Sequence, residues 1–171
     1  MDSNVKIQNM FNTKMLVYCS ILIALSFIGA QIKIFQSIAF DSLPAFFAAL
    51  FLGPVAGAIV GGLGHLFTAL TSGFPYTVPV HLVIAVSMAI ICYIFGYLNG
   101  RINIIFNSII ATVLNGVVAT YISVFAMNLL GIIPSVNEMF ISLVGILTVV
   151  SGINVFLAST IYKTIGKKIT K

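Results

Sequence analysis

The sequence predicts an all-α integral membrane protein, a bundle of six transmembrane helices with a Gly/Pro-rich hairpin between helices 2 and 3. Three observations carry that prediction. Of 171 residues, 60% are hydrophobic and only 6% charged, where a soluble domain carries about 25% charged residues. Most of the chain falls into apolar runs close to the roughly 20 residues that span a bilayer. The cations flank these runs: Lys6 and Lys14 precede the first, Arg101 sits in the connection NGRIN, and Lys163, Lys167, Lys168 and Lys171 follow the last. Lys33 alone breaks the pattern. No length is left over for a soluble domain, so residues 1–171 read as one membrane domain.

The elements follow in order. Helix 1 is expected over residues 14–30, followed by the loop QIKIFQSIAF. Read as a signal peptide, this run would end at FIGA, but Ile28 fits the small-residue cleavage rule poorly. Helix 2 covers residues 41–52 and stops at Gly53-Pro54. Helix 3 covers 55–70, then TSGFPYTVP. Helix 4 covers 80–98, helix 5 covers 104–130 and is followed by GIIPSVN, and helix 6 covers 138–165. Six crossings put both termini on one side of a plasma membrane. With the termini cytoplasmic, seven of the eight cations are inside and only Lys33 is outside, as the retention of Lys and Arg in cytoplasmic flanks requires. Helices 2 and 3 are short for full crossings and are read either as two spans or as a re-entrant pair. Gly/Pro-interrupted segments of this kind point to a binding region in transporters.

The net charge of +5 raises the question of nucleic acid, but the cations mark topology and form no basic patch. Cys19 and Cys92 lie inside apolar runs and read as small buried hydrophobes, with neither a disulfide nor a metal site. No HExxH, GxSxG or GxxxxGK[ST] occurs, so the zinc-protease, serine-hydrolase and P-loop arrangements are absent. No metal or cofactor is expected, and the chain is not read as an enzyme. An intramembrane enzyme using His65 and His81 is kept as a rival that turnover of a bound molecule would reveal.

The stretch 53–82, GPVAGAIVGGLGHLFTALTSGFPYTVPVHL, concentrates glycines, three prolines and both histidines. Gly53, Gly57 and Gly61 recur every four residues, and His65 and Ala69 continue the series. Residues four apart share a helix face, so the glycines are expected to form a groove on helix 3 into which another helix settles, the small-xxx-small device of membrane packing. His65 is either hydrogen-bonded between helices or a polar group at the floor of an outward-facing pocket. His81 is either an interfacial residue in contact with water or part of the same pocket. Asp41 opens helix 2, Glu138 opens helix 6 and Lys33 lies in the first loop. Carboxylates at helix N-termini are also favoured by the helix dipole alone. Tyr76, Phe74, Tyr121 and Asn128 join them in the outer third if the helix directions are right. Polar and aromatic groups converging in a concavity are the usual form of a small-molecule pocket, which makes Lys33, Asp41, His65, Phe74, Tyr76, His81, Tyr121, Asn128 and Glu138 the candidate substrate-binding residues.

LPAFFAALFLGPVAGAIVGGLGHLFTALTSG followed by P-x-H-L resembles the substrate-binding S components of energy-coupling factor (ECF) vitamin transporters. Length, six-helix hydropathy and the basic C-terminal tail are similar over essentially the whole chain, and LGPxxGAIVGxxG at 52–64 is the most specific part. Within that family GHLFTALTSGFPYTVPVHL looks most like members assigned to α-ribazole, a cobamide precursor. The resemblance implies a membrane subunit that binds a vitamin-like solute from outside and delivers it only with a transmembrane coupling subunit and two ABC ATPases. It also implies that the loops QIKIFQSIAF and TSGFPYTVP are lids, with Lys33, Phe35, Gln36 and Asp41 as contacts. Small residues on helix 1 would dock on the coupling subunit. Here the matching spacing is Ser20-xxx-Ala24, with Ser26-xxx-Ala30 further out and serine where the family commonly has alanine. The alternatives are an S component for riboflavin, pantothenate, folate or a queuosine precursor, or a self-sufficient secondary transporter or channel.

Overall fold

A computed structural model describes the backbone of residues 13–166 apart from 32, 36, 37 and 40, and side chains for residues 13–31 and 41–165. The helices fall close to the expected positions. α1 is Thr13–Gly29, α2 Leu43–Phe51, α3 Pro54–Thr71 and α4 Val78–Leu98. α5 runs Ile104–Leu129 with a π turn at Leu114–Val118. α6 runs Val136–Ile161 and continues as a π segment, Tyr162–Gly166. The first loop carries an element the sequence reading lacks. Lys33–Phe35 (β1) and Ile38–Ala39 (β2) pair antiparallel, and strands this short leave no alternation to read.

Local chemistry sets the helix ends. Pro44, Pro54 and Pro79 lie in the first turns of α2, α3 and α4, where a missing N–H breaks no helical bond. The side-chain oxygens of Asn103 and Ser135 accept from the N–H groups of Ile105 and Glu138 and so cap α5 and α6. Gly53 turns the chain from α2 into α3 with φ at +102°, a conformation that a Cβ would strain.

Among the described residues, four helices are long and apolar enough to cross a membrane: Pro54–Thr71, Val78–Leu98, Ile104–Leu129 and Val136–Ile165, with mean hydropathy from 1.4 to 2.4. α1 is shorter at 17 residues, and α2 has only nine. At 1.5 Å per residue α2 covers roughly 14 Å, about half of a ~30 Å hydrocarbon core. By length, then, α2 falls short of the ~20 residues of a full crossing. It is enclosed, packed on α1, α3, α4 and α6, with Ala45, Phe46, Ala48 and Ala49 buried. Outside, the bundle is apolar: Phe106, Leu129, Ile141 and Val149 are all more than 60% exposed, a surface suited to lipid. Inside, Ser26, Thr68, Asn107 and Asn154 are buried.

The glycines of α3 serve three neighbours. A Cβ at Gly57 would lie 2.5 Å from Ala49 Cβ on α2, one at Gly61 would lie 3.0 Å from Cys92 Sγ on α4, and one at Gly64 would lie 3.0 Å from Ser26 Oγ on α1. The expected single groove is corrected accordingly, and Gly53 is no part of it, because nothing lies within 4 Å of its Cβ position. Cys19 and Cys92 are free and buried.

The described cations Lys14, Arg101 and Lys163 share one end of the bundle. Tyr18, one turn beyond Lys14, packs against Phe51 at the end of α2 with ring centroids 6.0 Å apart. Asn99, beside Arg101, donates from Nδ2 to the Leu50 carbonyl at 3.3 Å. Ser108 and Ser159 hydrogen-bond at 2.9 Å and tie the start of α5 to the end of α6 just before Lys163. Asp41, the α3–α4 turn and the α5–α6 turn lie at the other end. Lys6, Lys167, Lys168 and Lys171 are outside the described residues.

Candidate ligand-binding site

α3 to α6 and the start of α2 enclose a cavity with about 180 Å³ of room for the centres of water-sized molecules. That holds on the order of a dozen waters, or a solute of about twenty non-hydrogen atoms. One wall is polar: Asp41 precedes α2, His65 and Thr68 project from α3, Tyr76 from the α3–α4 turn and His81 from the first turns of α4. The remainder is neutral: Ile84 and Met88 on α4, Val124 and Met127 on α5 and Leu143 and Leu147 on α6 are apolar, and Asn115, Thr120 and Ser123 on α5 and Ser151 and Asn154 on α6 add small polar groups.

The two histidines are directly bonded. His65 Nε2 and His81 Nδ1 are 3.1 Å apart, with the rings stacked at 5.3 Å and tilted by 29°. His81 Nε2 donates to the Pro75 carbonyl at 2.6 Å. His65 Nδ1 faces Asp41 Oδ2 at 3.8 Å, beyond direct hydrogen-bond reach. The α3–α4 turn aims the Pro75 carbonyl through an unusual backbone. Phe74, Tyr76 and Thr77 have φ of 49°, 73° and 134°, values that cost non-glycine residues of order 1–3 kcal/mol each. The Phe74 N–H bond to the Ala69 carbonyl at 2.8 Å and the Thr77 N–H bond to the Phe74 carbonyl at 3.1 Å hold the turn. So does the edge of the Phe74 ring against His81, at 5.7 Å between centroids.

The cavity brings together Asp41, His65, Tyr76 and His81 from the sequence-predicted set. Phe74 stands behind His81 and does not line it. Tyr121 is 48% exposed on the outer face of α5 and packs edge-on against Phe140 at 5.5 Å. Its neighbour Thr120 holds the inward position, so the tyrosine lies one residue out of phase with the wall. Asn128 donates from Nδ2 to the carbonyls of Ile133 and Pro134, at 3.1 and 3.4 Å, and closes the α5–α6 turn instead of facing the cavity. Glu138 is exposed in the first turn of α6, where its N–H meets the Ser135 cap. Lys33 belongs to β1, and the side chains of Lys33 and Phe35 lie outside those described, as does Gln36 entirely.

Sequence reasoning missed the α5 and α6 walls. Asn115, Ala119, Ser123 and Met127 line the cavity from α5, and Leu143, Leu147, Val150, Ser151 and Asn154 line it from α6. Their helical spacing was the available signal: small polar residues in phase on two otherwise apolar runs. Asn115 sits in the π turn, and such turns often mark functional sites. It donates from Nδ2 to Ser151 Oγ at 3.0 Å, which joins α5 to α6. Among the described residues, no group of three His, Cys, Asp or Glu side chains is placed to hold a metal ion.

No curated protein and no solved structure matches the chain. One family model does, over residues 14–166, that of the substrate-specific component of ECF transporters. It takes in all six helices and every residue of the cavity wall. The chain therefore belongs to the ECF transporter substrate-specific component family.

Proposed function

We propose that this chain captures a vitamin or vitamin precursor, best read as α-ribazole, in the cavity between α3 and α6. Delivery then takes place together with an ECF coupling subunit and two ABC ATPases. The observation that carries the reading is a cavity of nucleoside size with a carboxylate and two linked histidines on one wall, and on the others aliphatic and thioether side chains interspersed with the small polar groups of Asn115, Thr120, Ser123, Ser151 and Asn154. α-Ribazole joins an apolar dimethylbenzimidazole to a ribose and divides in the same way. Asp41, His65 and Tyr76 would meet the ribose, His81 would hold His65 in place from behind, and Ile84, Met88, Val124 and Met127 would meet the ring system. Lys33 remains a candidate contact from the first loop. Phe74, Tyr121, Asn128 and Glu138 are not carried forward as contacts.

A hydrogen bond to a charged acceptor contributes ~1.5–3 kcal/mol, and ~1.4 kcal/mol is tenfold in affinity. Asp41→Ala is therefore expected to weaken α-ribazole binding at least about tenfold in isothermal titration of the purified protein. No heat of binding for the unsubstituted protein with α-ribazole, alongside clear binding of riboflavin or another vitamin, would remove the α-ribazole assignment and leave the transporter class intact.

In the membrane, the end bearing Lys14, Arg101 and Lys163 is assigned to the cytoplasm by the retention of cations there. Both termini are then cytoplasmic, and α1 and the α2–α3 hairpin complete a six-helix topology. Single cysteines at positions 101 and 33, in a background without Cys19 and Cys92, test this with an impermeant thiol reagent on intact cells. Position 33 is expected to label and 101 not to; the reverse pattern inverts the topology.

Docking on the coupling subunit is assigned to Ser20 and Ala24. Both are exposed on α1, whereas Ser26 and Ala30 are buried, Ser26 against Gly64. The inner pair is already occupied.

A further inference from the structure

The polarity of the histidine chain can be read from its far end. A carbonyl oxygen only accepts, so the 2.6 Å contact to Pro75 places the proton of His81 on Nε2. A neutral imidazole carries one N–H. Nδ1 of His81 is therefore an acceptor, and the 3.1 Å contact is donated by Nε2–H of His65. With His65 neutral, that leaves its Nδ1 as a bare lone pair, turned toward the Asp41 carboxylate 3.8 Å away. Two acceptors facing each other across that gap repel, and the gap is too long for one direct bond. Both side chains keep some exposure to the cavity, 15% for His65 and 18% for Asp41. Of the other described ionisable side chains on the cavity wall, Tyr76 comes from the turn and His81 from α4, and α5 and α6 bring only neutral residues. Among the described residues, no cation on this wall is placed to fill the gap.

Resting on the small-molecule reading above, we infer that Asp41 Oδ2 and His65 Nδ1 form one subsite for a vicinal diol, each accepting one of two neighbouring hydroxyl groups. Hydroxyls on adjacent carbons stand about as far apart as a hydrogen-bonded pair of oxygens, about 2.8 Å. Each can therefore reach one member of an acceptor pair set 3.8 Å apart. His81 is a positioning residue in this scheme. It touches no hydroxyl, but together with the Pro75 carbonyl it fixes the tautomer that makes His65 an acceptor. The α3–α4 turn thus does more than cover the cavity, because its backbone sets which chemistry the α3 histidine presents. The solute class is a glycoside or polyol-bearing heterocycle whose diol lies at this wall and whose apolar body lies between α4, α5 and α6.

Two measurements test the subsite. Histidine ¹⁵N spectra of the full chain in lipid nanodiscs, at a pH where both rings are neutral, are expected to show Nε2–H tautomers for both residues. An Nδ1–H tautomer at His65 removes the acceptor and overturns the inference, whatever solute binds. Binding is then measured for α-ribazole, its 2′-deoxy analogue, riboflavin and biotin. The diol-bearing member that binds is expected to lose at least tenfold in Asp41→Asn. For α-ribazole, the tenfold or greater preference over its deoxy analogue is expected to collapse in His81→Phe. If riboflavin binds in place of α-ribazole and is lost in Asp41→Asn, the α-ribazole assignment fails and the diol subsite stands. If biotin, which has no diol, is the one member bound, or if Asp41→Asn leaves a diol-bearing solute bound as before, the subsite is wrong.

Discussion

Gly57→Leu and Gly116→Leu are each expected to leave little folded protein in detergent, and Gly145→Ala to raise the melting temperature. All three changes add a side chain to a glycine inside a helix, so propensity alone predicts a gain of up to ~1 kcal/mol for an alanine. Packing separates them. A Cβ at Gly57 falls 2.5 Å from Ala49 Cβ and 2.7 Å from its Cα, and one at Gly116 falls 2.5 Å from the Thr148 Cα. Backbone cannot rotate aside as a flexible side chain can, so α2 must leave α3, or α5 must leave α6. The cost is placed at or above the upper end of the ~1–3 kcal/mol typical of overpacking. At Gly145 nothing lies within 4 Å, and only the helix preference acts. Thermal unfolding followed by size-exclusion chromatography reads all three. Unchanged melting in Gly57→Leu would mean that α2 does not pack against α3 at Gly57.

Ser20→Leu or Ala24→Leu is expected to abolish uptake by the assembled transporter and to leave solute binding by the isolated protein within about twofold. Small residues four apart let two membrane helices approach closely, and a leucine at either position holds them apart. The face of α1 that carries Ser20 and Ala24 is exposed, while Cys19, Leu22 and Ser26 turn inward. The Ser20 hydroxyl is already bonded to the Leu16 carbonyl at 2.9 Å, so the pair offers shape and makes no demand for a polar partner. Neither residue lines the cavity. Parallel loss of binding and uptake would take α1 out of the docking role.

Much of the helix order was legible in the sequence, because in a membrane the apolar runs are the helices and Gly-Pro marks their ends. α2 was located and its shortness was legible, but composition does not reveal that its nine residues are enclosed by four other helices. The site was legible on its charged side. Asp41, His65, Tyr76 and His81 stand out against an apolar background, and the structure places all four on one wall. On α5 and α6 the conspicuous residues are aromatic, amide or ionisable, Tyr121, Asn128 and Glu138, whereas the cavity is lined by the less conspicuous Thr120 and Ser123. From Tyr121 to Thr120 the difference is about 100° of helix rotation, which a single conspicuous side chain cannot fix and the phase of several small ones can. The bond between His65 and His81 was beyond reach for another reason. It spans 16 residues and two helices, and its direction depends on a backbone carbonyl held by an unusual turn.

The central claim is that this chain captures its solute but cannot move it alone. Proteoliposomes containing the chain by itself, or the chain with an ECF coupling subunit and both ATPases, test that most directly when loaded with ATP and presented with radiolabelled α-ribazole, or with whichever vitamin the titrations select. Accumulation is expected only in the complete assembly, to depend on ATP, and to vanish in Ser20→Leu. Accumulation by the chain alone, driven by a proton or sodium gradient, would contradict the account and identify a secondary transporter.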